Sequence, residues 1–134
     1  MHVLFSIDSL QQGGAEQSIA HIIKHFSADT KVTILYFYPK ADLLETYKQL
    51  GCHIIALNMQ EKYGWRKGIR SMIHVLREEK PDLVVTSLYR SNIISRFACR
   101  KMKIPLIGTF VDDSYNEERK KTFRGIGQLK YQLT

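Results

Sequence analysis

Cysteine is scarce in this sequence: among 134 residues only Cys52 and Cys99 occur, and neither belongs to a CxxC or Cys/His ligand pattern. That spacing argues against a disulfide framework and against a metal site, and the two thiols read as reduced, buried side chains of a cytoplasmic protein. Long apolar runs are missing as well. Nothing approaches the roughly 20 residues that span a bilayer as a helix, so membrane contact, if any, is peripheral. The opening MHVLFSIDSL has no positive leader and is broken by Asp8, so it reads as a first buried strand and not as a signal peptide. Internal repeats, low-complexity tracts and Pro/Gly-rich linkers are absent, and the length admits one domain but not two with a cleft between them. Acid is in deficit: 20 Lys and Arg face 13 Asp and Glu, a formal charge of +7. Such a balance favours anionic partners (phosphates, acidic lipid, nucleic acid) without choosing among them, and a merely solvated basic surface is the other reading.

What is present alternates. Five short runs rich in β-branched and apolar residues recur at Val3 to Ile7, Val32 to Phe37, His53 to Leu57, Leu83 to Leu88 and Leu106 to Phe110. They are continuous, as strands covered on both faces are. Between them, apolar residues fall three and four apart: Ala15, Ile19, Ile22, Ile23 and Phe26; Leu43, Leu44, Tyr47 and Leu50 before Gly51; Ile69, Met72, Ile73 and Leu76 before Pro81; Ile94, Phe97, Ala98 and Met102. Strand alternating with helix, joined by right-handed crossovers, predicts an α/β, Rossmann-like, doubly wound parallel sheet of order 3-2-1-4-5 with helices on both faces. Phe123, Ile126, Leu129 and Leu133 predict one more helix with no strand after it. The expectation is therefore a single domain, residues 1–134, that stops partway through a larger architecture.

In such sheets ligands bind at the carboxyl ends of the strands, near the switch point beside strand one. The first of these loops, Asp8 to Glu16, places Gly13 and Gly14 just before a helix. Glycines there permit close backbone approach, and the free amides with the positive helix end suit a phosphate. A tight turn that needs glycine for its dihedrals is the competing reading. The spacings GxGxxG and GxxxxGK[ST] do not occur, which removes the dinucleotide fingerprint and the P-loop.

Ile7-Asp8-Ser9-Leu10 with Gly13-Gly14-Ala15-Glu16, then Lys80-Pro81-Asp82-Leu83-Val84-Val85, then Lys103-Ile104-Pro105-Leu106-Ile107-Gly108-Thr109, lie in order along nearly the whole chain. Together they resemble the N-terminal domain of family 4 (group 1) retaining glycosyltransferases of GT-B fold. The resemblance implies a two-domain enzyme in which this half holds the acceptor and a C-terminal half grips the nucleotide sugar, with no metal cofactor. It implies that Gly13 and Gly14 offer amides to the donor diphosphate and that Glu16 supports the helix terminus; a favourable acid in a first helical turn is the other reading of Glu16. Family members often carry a His after the fifth strand; this chain has Asp112 in that neighbourhood, either its substitute or an ordinary loop acid. Alone, the domain is expected to be inactive.

The cluster Ser87 to Asn92 resembles that of members acting on lipid-linked or polymer-precursor sugars, pointing to cell-surface polysaccharide or glycolipid synthesis. It makes Ser9, Arg90 and Asn92 the acceptor-binding candidates: Arg90 has a fork suited to phosphate or carboxylate, and Asn92 can equally cap the following helix. Trp65, Arg66, Lys67 and Arg70 form a basic stripe with an aromatic edge that suits an anionic membrane surface, for a peripheral position on the cytoplasmic face; a solvated helix face is the plainer reading. The tail cations Arg119, Lys120, Lys121, Arg124 and Lys130 offer a nucleic-acid alternative, which we set aside because no nucleic-acid motif accompanies them. A small-molecule binder without catalysis is a further alternative.

Overall fold

Stiff β-branched side chains pack well on a pleated surface, and runs that are apolar on both sides must be covered twice. The computed structural model describes residues 1–60 and 64–109. Within them five strands form, β1 (His2–Ile7), β2 (Lys31–Tyr36), β3 (His53–Ala56), β4 (Leu83–Ser87) and β5 (Leu106–Thr109). All pair in parallel, in the order β3-β2-β1-β4-β5 that the alternation predicts. Expectations placed on Phe110, Asp112, the tail helix through Phe123 to Leu133 and the basic cluster from Arg119 lie outside the described residues.

Alternate residues of β1 face opposite ways. Val3, Phe5 and Ile7 pack with α1 (Gly14–Ile23) and with Tyr47 of α2 (Leu44–Gln49). Leu4 packs instead with α3 (Trp65–Glu79) and α4 (Tyr89–Met102) on the other face. β1 is thus sealed on both sides, and its carboxyl end opens between α1 and α4. Gly51, with φ +74°, takes the left-handed turn after α2 that the sequence reserves for it. In the first turn of α3, Gly68 lies close under α4: a Cβ there would meet Ile94 Cδ1 at 2.7 Å, and the Ile94 side chain would have to shift.

Two apolar stripes depart from expectation. Ile22 is 50% and Phe97 55% exposed. In α1 the contact with the sheet is carried by Ala15, Ile19, Ala20 and Ile23, and Ile22 falls at the edge of that face. In α4 the buried face is made of Ser91, Asn92, Ile94, Ser95, Ala98 and Cys99, because small residues let the helix approach β1 closely; Ser95 Oγ lies 2.9 Å from Ser6 Oγ. Periodicity of large apolar residues does not register a face built of serines.

At the opposite end of the sheet, Glu79 closes α3 onto three strands. Its carboxylate accepts from Thr33 Oγ1 at 3.0 Å and Lys31 Nζ at 3.4 Å, with His53 Nε2 at 3.4 Å and His2 Nε2 at 3.7 Å. Burial pushes its acidity weaker, but the bonds from Thr33 and Lys31 outweigh that and hold its pKa below the usual glutamate value.

Two predictions follow from this packing. Ile19→Ala should cost about 2–5 kcal/mol in urea unfolding, whereas Ile22→Ala, on the exposed side, should cost less than about 1 kcal/mol; equal losses would contradict the observed face. For Glu79 the folded pKa lies below the unfolded one, so its stabilisation is present above the unfolded value and is lost as pH falls through the folded value. Glu79→Gln should therefore remove part of the acid-limb slope of stability below about pH 5, measured by urea midpoints across pH.

Candidate functional site

Two helix N-termini meet at the carboxyl end of β1, and each carries unsatisfied amides. The chain's own carboxylates answer both. Asp8, the residue after β1, accepts the Ser91 backbone N–H at 2.7 Å through Oδ1, closing the first turn of α4. Burial raises its pKa despite that bond and the nearby Arg90. At α1, Gly13 stands at the N-cap in extended conformation and makes no side-chain cap. Three residues on, Glu16 folds back so that its Oε2 would lie 2.3 Å from a Cβ on Gly13. The first reason for glycine at position 13 is thus internal: its missing side chain leaves room for Glu16.

Gly14 differs. A Cβ added there would meet nothing within 4 Å, and no left-handed φ requires glycine. Glycine in a helix costs about 1 kcal/mol relative to alanine, so nothing within the described residues repays it. A cavity of about 470 Å³ opens at this point, lined by Gly13, Gly14, Ala15, Glu16, Ser18 and Leu88. Leu88, at the start of α4, holds φ 72° and ψ 163°, a region of backbone space used almost only by glycine. Strain and an unexplained glycine thus flank one cavity at the switch point.

A second cavity of about 370 Å³ adjoins β1 and β2, lined by Asp8, Ser9, Gln11, Tyr38, Lys40, Met59, Gln60 and Arg90 among others. Arg90 donates to the Tyr38 hydroxyl at 2.7 Å and lies 5.3 Å from the ring centroid. Backbone bonds fix the walls, with Leu10 N–H on Lys40 O and Tyr38 N–H on Asp8 O, both at 2.9 Å. Ser9 and Arg90 line the same cavity, together with Asp8, Tyr38 and Lys40, which the sequence did not single out. Tyr38 and Lys40 carried no signal beyond position: both sit just past the end of a strand, where loops line such sites.

Asn92 is placed elsewhere. It is buried, its Nδ2 donates to Thr109 O at 3.1 Å, and its Oδ1 faces Gly108. It ties α4 to β5 and does not line the cavity; nor is it a cap, because α4 already begins at Tyr89. Trp65 is also turned inward, half-buried against the α3 and α4 core with its ring edge-on to Tyr89 at 6.4 Å. Arg66, Lys67 and Arg70 do gather on the exposed side of α3, where His74, Leu57 and Val75 complete a shallow groove. Among the described residues no helix is long and apolar enough to cross a membrane.

A parallel sheet of order 3-2-1-4-5 with a helix mouth open at the switch point defines a Rossmann-like domain. Residues 12–128 match the family described as Glycosyltransferase Family 4, and the chain belongs to that family. No curated protein matches the sequence at a significant level. Among solved structures it is similar to Staphylococcus aureus MnaA in complex with UDP (TM-score 0.68, 14% identity, 99% of this chain and 36% of that one). It is similar also to a glycosyltransferase from Rickettsia africae (TM-score 0.64, 13% identity, 94% and 34%). The lipopolysaccharide outer core galactosyltransferase WaaB gives TM-score 0.63 at 18% identity, over 81% and 32%. At these identities the likeness is one of fold, and the chain spans about a third of the length of each structure.

The contrast between the glycines is testable by thermal unfolding. Gly14→Ala should leave stability unchanged or raise it by up to about 1 kcal/mol. Gly13→Ala should instead expel the Glu16 carboxylate from its place, visible as altered amide signals through Gln17. A loss above about 2 kcal/mol for Gly14→Ala would mean that the fold itself needs that glycine.

Proposed function

We propose that residues 1–134 are the acceptor-side, N-terminal domain of a retaining glycosyltransferase. The complete enzyme moves a sugar from a nucleotide donor to an acceptor hydroxyl, in cell-surface polysaccharide or glycolipid synthesis, on the cytoplasmic side of the membrane and without a metal. The observation that carries this reading is the open mouth of α1, where nothing among the described residues requires Gly14 to be glycine and where Gly14 and Ala15 line a cavity. Negative charge grows on the leaving diphosphate as the glycosidic bond breaks. Oriented amides and the helix dipole stabilise that charge more in the transition state than before it. Cationic groups from a second, C-terminal domain complete the clamp, so this domain by itself is inactive. The acceptor lies in the neighbouring cavity, where Arg90 and Ser9 contact it; Arg66, Lys67 and Arg70 hold the enzyme against anionic lipid.

One observation favours a second chemistry. The fold is shared with the UDP-GlcNAc 2-epimerase of Neisseria meningitidis bound to UDP-GlcNAc (TM-score 0.56, 22% identity), which makes donor epimerisation the second reading. The family assignment favours transfer.

The test is to incubate the polypeptide carrying this domain with a panel of nucleotide sugars, with and without acceptor extracts, and to analyse products by mass spectrometry and NMR. Transfer or donor hydrolysis with retained anomeric configuration is expected, and Arg90→Gln should raise acceptor KM at least about tenfold, the scale of a lost charge-assisted contact, while leaving donor hydrolysis intact. Epimerised donor, or no turnover of any nucleotide sugar, would overturn the assignment.

A further inference from the structure

Resting on the reading of the α1 mouth as a phosphate site, a further property emerges from the side chain that already occupies it. Glu16 is 95% removed from solvent, being 5% exposed, yet its carboxylate takes no hydrogen bond from another side chain among the described residues. It bends over Gly13, at the third helical position, and faces the cavity that Gly14 leaves open. The ionisable groups facing it are Asp8 from the end of β1 and Tyr47 from α2, whose hydroxyl donates to the Glu16 backbone carbonyl at 2.6 Å; α4 contributes only Leu88. No cation among these neighbours balances the carboxylate.

We propose that Glu16 is a proton-operated lock on the α1 anion site: its carboxylate stands in for the phosphate when the site is empty, and it takes up a proton from solvent when a phosphate-type anion seats beside it. A carboxylate and a phosphate side by side at one helix terminus repel, whereas a protonated carboxyl can donate to a phosphate oxygen. The local surroundings lean the same way. Burial, followed by the neighbouring Asp8, raises the Glu16 pKa, while its own backbone N–H opposes the rise. Such a lock makes donor affinity fall as pH rises and keeps the helix mouth satisfied between turnovers.

The experiment titrates the full chain and its Glu16→Gln variant with sodium sulfate, a doubly charged anion that does not titrate between pH 5 and 8, following the Gly14 and Ala15 amide signals by NMR. The ratio of the two affinities isolates Glu16. We expect the variant to bind about tenfold more tightly at pH 8, the equivalent of one pKa unit of coupling, with the ratio shrinking toward one at pH 5. In the unmutated chain the carboxyl carbon of Glu16 should move toward its protonated shift as sulfate is added, a readout that stands even if the variant folds poorly. Equal affinities at every pH, weaker binding by the variant, or a stationary carboxyl shift during saturable binding would overturn the lock and leave the phosphate site standing. Failure of sulfate to perturb Gly14 and Ala15 in either protein would overturn the lock and the site together.

Discussion

The structure depends on how the end of β1 is closed. A strand buried on both faces delivers the chain into a gap between two helices whose first amides have no partners, and Asp8 at α4 and Glu16 at α1 supply the negative ends that those dipoles need. The two solutions differ in kind. Asp8 makes a direct bond and locks α4 in place. Glu16 bends over its own helix and takes no side-chain hydrogen bond among the described residues, so α1 is closed provisionally and keeps an open face at Gly14. A rigid cap beside a provisional one is what a domain needs if one helix is to be held as scaffold and the other is to meet a ligand.

The architecture was legible because its strands are runs of Val, Ile and Leu and its helices repeat at three and four residues. Both patterns reflect burial against two layers, and the order 3-2-1-4-5 is a common doubly wound solution for alternating units with right-handed crossovers. The failures have one origin. Ile22 and Phe97 were assigned to the interior by spacing, but Ile22 lies at the edge of the α1 face that Ile19 and Ile23 bury, and α4 turns its serines inward because small side chains allow β1 and α4 to approach.

At the site, Gly13 and Gly14 look alike in sequence and differ in cause. A methyl group on Gly13 would meet the Glu16 carboxylate, whereas one on Gly14 would meet nothing among the described residues. Arg90 was foreseen as an anion ligand, but its pairing with Tyr38, fifty-two residues away, is a product of the parallel register and leaves no local trace. Asn92 was read as an acceptor ligand or a helix cap and Trp65 as a membrane-surface group, but the amide is bonded to the β5 backbone and the indole packs edge-on to Tyr89.

The central claim is that the first amides of α1 hold the donor's diphosphate. A crystal structure of the polypeptide carrying this domain, grown with a nucleotide sugar, tests it most directly. The account predicts a phosphate oxygen within about 3.1 Å of the Gly14 or Ala15 nitrogen, the reach of an N–H to oxygen bond. A diphosphate held wholly outside this helix mouth, with Gly14 still facing solvent, would contradict it.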